Sequence, residues 1–318
     1  MTNPAQQLNT TSPLAYREEA VVFGQGRWVG VLCLPEGIPK SVVIVVVGGP
    51  QYRVGSHRQF VQLSRALASQ GHASLRFDCT GMGDSPGELR NFLNIEEDIG
   101  AAINFVRAQL PAVQTLALWG LCDGASAALL YVHARGDAGI HGLCLLNPWV
   151  RSEVSQAQTQ IKHYYVQRLQ DPAFWRKLFT GKVAASAALD LGRTLRTLWR
   201  AKPAEKGGVA DAPTGTPAPF QSRMATAWQK YSGAILLILS EDDYTAKEFL
   251  GATQNDAQWK GKLRQRNVRR HDVVRADHTF SGAATRLEIE QVTARWLNEL
   301  SDNQASVATN AATTRTTR

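Results

Sequence analysis

The chain has 318 residues, 44% of them hydrophobic, and a formal net charge of +8, so it can bury one large core as a single domain with an insertion or as two domains. No window reaches the roughly 18 consecutive apolar residues of a membrane span, and the start MTNPAQQLNTTSPLAYREE has neither a basic cluster nor an apolar stretch, which makes a cytoplasmic protein the expectation. The four cysteines, Cys33, Cys79, Cys122 and Cys144, form no C-x-x-C pair and have no histidine at zinc spacing, so neither a disulfide framework, a metal site nor a cofactor is expected.

In chain order, residues 1–14 are polar and read as a disordered tail. The segments 19-EAVVF-23 and 27-RWVGVLCL-34 have mixed polarity and flank the turn signal GQG, which predicts an antiparallel hairpin. Further strands are expected at 42–47, 73–77, 115–119, 140–146, 234–240 and 268–274, most of them continuous Val/Ile/Leu runs of the kind covered on both faces in a parallel sheet. Helical periodicity occupies 57–70, 95–110, 124–135 and 287–300. Strands alternating with helices predict an α/β fold with a doubly wound, mostly parallel sheet.

Between 149 and 232 no strand pattern occurs, and the Pro/Gly/Ala-rich stretch at about 203–219 reads as a flexible link. The expected organisation is a core of residues 15–148 and 233–301, a helical insertion over 149–232, and a second disordered tail over 302–318. An insertion entering after a central strand sits at the C-terminal edge of the sheet, where open α/β folds bind ligands, so a lid is expected. Residues 151–207 hold eleven Lys and Arg against four Asp and Glu. Such a patch suits an anionic partner such as an acidic carrier protein, and no nucleic-acid motif accompanies it.

The chemistry centres on 116-LALWGLCDGASAALLY-131. A glycine, a cysteine and a second glycine between a buried strand and a helix have the G-x-C-x-G spacing of a nucleophile elbow, whose usual centre is serine. Gly120 and Gly124 allow the tight turn that projects Cys122 at the top of the sheet. A helix N-terminus and a nearby histidine favour a thiolate there.

Together with 45-VVVGGPQYRVGSHRQF-60, 76-RFDCTGMGDSPGE-88, 236-LLILSEDDYTAKEF-249 and 273-VVRADHTFSG-282, the elbow makes the sequence resemble the α/β-hydrolase superfamily over about residues 15–300. In detail these segments look most like the exosortase A system-associated hydrolase 1 family. The resemblance implies a nucleophile–acid–histidine order met by Cys122, Asp243 and His278, with Asp242 as the alternative acid. It implies an oxyanion hole from the backbone N–H groups of Gly49 and Asp123, with Gln51 in reserve because Pro50 has none. The family's usual Arg and His are replaced by Thr80 and Val47. The Asp123 carboxylate, next to the thiol, is expected to point to solvent or to a basic lid residue.

The activity so implied is hydrolysis of an ester or thioester through an acyl-enzyme, on a small-molecule or carrier-bound acyl substrate, in bacteria that export polysaccharide. An acyltransferase using an acyl carrier or acyl-CoA, and a non-catalytic interaction protein, are the alternatives. Dienelactone hydrolases share a cysteine elbow, dehalogenases and epoxide hydrolases need Asp at its centre, and Pro86 and Gly87 stand where a dinucleotide-binding helix would begin.

Overall fold

A serine followed by five continuous valine and isoleucine residues, SVVIVV, makes the buried third strand around which the sheet is assembled. The structure, a computed structural model, describes residues 15–49, 51–136, 139–151 and 218–316. The chain divides into two units, residues 1–150 with 219–318 and residues 151–218, and the sheet lies in the first. The expected N-terminal tail, and the insertion between 152 and 217 with its basic lid, lie outside the described residues.

Eight strands form one sheet in the order β1-β2-β4-β3-β5-β6-β7-β8. They are β1 (Tyr16–Phe23), β2 (Trp28–Pro35), β3 (Ser41–Val46), β4 (His72–Phe77), β5 (Thr115–Leu121), β6 (Gly142–Leu146), β7 (Ala234–Ser240) and β8 (Val268–Val273). β1 pairs antiparallel with β2, in register Phe23 opposite Trp28, and β2 antiparallel with β4. All the remaining pairs are parallel. The helices are α1 (Gln59–Ala68), α2 (Glu96–Gln109), α3 (Asp123–Arg135), α4 (Phe220–Lys230), α5 (Tyr244–Asn255) and α6 (Ala283–Thr316).

Because side chains alternate across a strand, neighbouring residues of β3 feed different cores. Ile44 belongs to the face covered by α2, α3 and α4, through Ile99, Leu129 and Trp228 among others. Val43 and Val45 belong to the face covered by α1 and α6, through Leu67, Trp296 and Leu297. Each such fully buried side chain contributes about 1.5–3 kcal/mol, and burial on both faces is what fixes the strand positions.

Two expectations change. The helix over 220–230, read as part of the insertion, lies in the same unit as the sheet and buries Met224, Ala225, Ala227 and Trp228 in its core. The final helix does not stop near 301 but runs to Thr316. Its sequence from 283 to 316 contains no Gly or Pro, so nothing local breaks a helix already anchored by Trp296 and Leu300.

Candidate functional site

The elbow forms because β5 must pass into α3 with one residue between them. Cys122 is that residue, held at φ 59° and ψ −124°, a conformation costing about 1–3 kcal/mol for a side chain with a β-carbon. A β-carbon on Gly120 would strike the Gly124 backbone, and one on Gly124 would strike the Val46 carbonyl, so both glycines are required by close approach. Strand ends hold the strained residue. Cys122 N–H donates to the Leu146 carbonyl at 2.9 Å, and its own carbonyl accepts from Ala125 and Trp149 N–H at 3.1 and 3.2 Å.

His278 lies in the loop after β8, with Nδ1 donating to Asp243 Oδ2 at 2.9 Å. Asp243 is 5% exposed and is the N-cap of α5, accepting also from Thr245 and Ala246 N–H at 3.2 and 3.1 Å. Asp242 is exposed on the same turn and its N–H donates to the Ala276 carbonyl. The hydrogen bond to Asp243, followed by the one to Cys122, raises the His278 pKa from 6.5 to about 10. Cys122, His278 and Asp243 are thus brought together at the C-terminal ends of β5, β8 and β7. Cys122 is partly exposed, while Cys33, Cys79 and Cys144 are buried. Burial raises the Cys33 pKa to about 11, and pushes Cys79 and Cys144 higher still.

Asn147 belongs to none of the motifs read from the sequence. Fully buried at the end of β6, it accepts from Ser240 N–H at 2.9 Å and donates to Ser240 Oγ at 2.8 Å and to the His278 carbonyl at 3.2 Å. Ser240 Oγ in turn donates to the Asp277 carbonyl. This network ties the histidine loop to the strand that carries the acid. Its backbone sits at φ 43°, in the left-handed region that Asn tolerates better than most residues. Arg53 anchors the loop after β3 by its N–H and guanidinium to the fully buried Asp78 carboxylate.

The proposed oxyanion donors meet differently from expectation. Gly49 N–H donates to Asp123 Oδ2 at 2.8 Å. The partly buried carboxylate thus faces the loop after β3, and burial raises its pKa. Gln51 N–H is spent on the Gly49 carbonyl at 2.8 Å. A cavity of about 230 Å³ opens on Cys122 and His278, walled by Gly49, Phe60, Phe92 and Trp149. A larger one, about 510 Å³, lies at the other end of the sheet beside Val42, Arg107 and His141 and holds no nucleophile.

A model of the family described as serine aminopeptidase, S33, matches residues 37–206. No curated protein matches the chain in sequence. Among solved structures, an esterase of Pyrococcus furiosus superposes with a TM-score of 0.56 at 13% identity, covering 90% of this chain and 93% of its own. A dienelactone hydrolase of Anabaena variabilis gives 0.55 at 12% identity, covering 90% and 98%, and an alpha-beta serine hydrolase homologue of Coxiella burnetii gives 0.51 at 14%, covering 88% and 96%. At these identities the superpositions establish the α/β-hydrolase fold. Where the family's name specifies serine, the elbow here carries cysteine.

Proposed function

The chain belongs to the serine aminopeptidase S33 family of α/β-hydrolases, and from that premise we propose that it hydrolyses an ester or thioester through Cys122, with His278 as base and Asp243 orienting the imidazole. The observation that carries the reading is the His278 Nδ1–Asp243 Oδ2 hydrogen bond of 2.9 Å behind a partly exposed thiol on an elbow. The Cys122 proton passes to His278, and the thiolate attacks the acyl carbon. The oxyanion is held by the Gly49 and Asp123 N–H groups. His278 returns the proton to the departing alkoxide or thiolate, leaving a thioester on Cys122. Water, deprotonated by His278, attacks that thioester and releases the acid.

Esters and thioesters are favoured over peptides because an amine leaves only when protonated first. The esterase and dienelactone hydrolase among the structural neighbours agree with this choice. The eleven cations of 151–207 favour an acyl donor with negative charge, coenzyme A or an acidic carrier protein, and with it transfer to an acceptor hydroxyl as a second reading. The motif resemblance to the exosortase-associated hydrolases supports a place for the reaction in polysaccharide export, in a cytoplasm reducing enough to keep Cys122 a thiol.

Intact-protein mass spectrometry with a panel of p-nitrophenyl esters and acyl thioesters of graded chain length tests the reading. An acyl adduct on Cys122, absent from Cys122→Ala together with all turnover, is the expected result. Undiminished hydrolysis by Cys122→Ala ends the proposal.

A further inference from the structure

An oxyanion hole works by offering backbone N–H groups that have no other acceptor until the substrate arrives. Here the hole already has an acceptor. Gly49 N–H, one of its two donors, is 2.8 Å from Asp123 Oδ2. The backbone is shaped for this contact. Gly49 sits at φ 63°, and a β-carbon on Gly48 would overlap Asp123 Oδ1. The carboxylate is half-buried, so water competes weakly for it.

We infer that the Asp123 carboxylate is a built-in occupant of the oxyanion hole, and that it makes Asp123 a specificity-determining residue: the site turns over only acyl donors whose remote contacts supply the free energy to displace it. The inference rests on the acyl-transfer reading for its kinetic part and on geometry alone for the occupancy. A substrate carbonyl is a weaker acceptor than a carboxylate, so a short ester lacking remote contacts cannot win the exchange. The displaced group has a destination. Asp123 also lines an adjoining cavity of about 280 Å³ whose walls include Arg90 and Asn91. Arg90 is partly neutralised there by Glu97 and Asp98.

The test compares wild type with Asp123→Ala, which empties the hole, and Asp123→Asn, which keeps an acceptor oxygen there without the charge. Acylation of Cys122 by p-nitrophenyl acetate needs the hole, whereas alkylation by iodoacetamide displaces halide without forming an oxyanion. The ratio of the two rates therefore reports the hole and cancels changes in the thiol itself. We expect that ratio to rise about 10- to 100-fold in Asp123→Ala, no more than the 10²–10³ that a single oxyanion donor is worth, and less in Asp123→Asn. The preference for long over short acyl chains narrows in parallel. An unchanged or lower ratio in an Asp123→Ala protein that melts as a folded chain overturns the inference.

The amide resonance of Gly49 reads occupancy without any turnover. It should move upfield in Asp123→Ala, and an unmoved resonance also overturns the inference. If that resonance moves while no ester or thioester acylates Cys122 in any variant, the acyl-transfer reading fails and the occupancy stands.

Discussion

One carboxylate, that of Asp243, does two separable jobs. Its oxygens accept from Thr245 and Ala246 N–H as the cap of α5, and Oδ2 accepts from His278 Nδ1. Asn is an N-cap as good as Asp, so Asp243→Asn keeps the cap and removes only the charge assistance to the imidazole. A hydrogen bond to a charged group contributes about 1.5–3 kcal/mol. With the His278 side chain 37% exposed, solvent screening brings this to about 1 kcal/mol. Asp243→Ala loses the cap as well, about 1 kcal/mol more, for a total of about 2.

The pH dependence gives the sharper test. His278 has its pKa raised from 6.5 to about 10 in the folded chain, so its contribution is complete below pH 6.5, shrinks as pH rises, and is gone above about 10. The stability gap between wild type and Asp243→Asn should close over that window, while the further loss in Asp243→Ala should not change with pH. Urea titrations across the window measure both gaps. Equal losses in the two variants, or a wild-type gap that stays flat from pH 6.5 to 10, would refute the reasoning.

Two other outcomes follow from described features. Asn147→Ala strands the buried Ser240 N–H and releases the His278 loop, so a loss of about 3 kcal/mol is expected in urea, along with a kcat lowered about 100-fold by misplacement of the imidazole; retention of wild-type kcat would remove Asn147 from the positioning of His278. If the cations of 151–207 steer an anionic donor, kcat/KM for an acyl-CoA should fall as salt rises past the screening range while that for a neutral ester stays level, and parallel salt profiles would discard the steering.

Strands were the most legible part of the sequence, for a physical reason. Runs such as 42–47 and 234–240 are covered on both faces, so burial writes itself into consecutive residues. Cys122, Gly120 and Gly124 were legible because an elbow demands its residues at fixed spacing. α5 is less legible, although Ala246, Phe249 and Thr253 carry its buried face at helical spacing, because its N-cap is Asp243, one of two adjacent acids that serve equally as a catalytic pair or a solvated turn. The choice between Asp242 and Asp243 could not be made from sequence, since it depends on which of them caps that helix and faces His278. Asn147 and the turn of Asp123 towards Gly49 were out of reach for a deeper reason. Each acts on a segment distant in sequence, Ser240 and Gly49 respectively, and no local pattern records such a partner.

The presence of sulfur where the family's name calls for oxygen has a consequence outside acyl chemistry. A hydroxyl survives peroxide, whereas a partly exposed thiol can be oxidised to sulfenic acid and beyond. The other three cysteines are sealed in the core, leaving none at the surface to trap that first product as a disulfide. A hydrolase built this way carries its own oxidant sensitivity at Cys122, and recovery depends on thiols supplied from outside the chain.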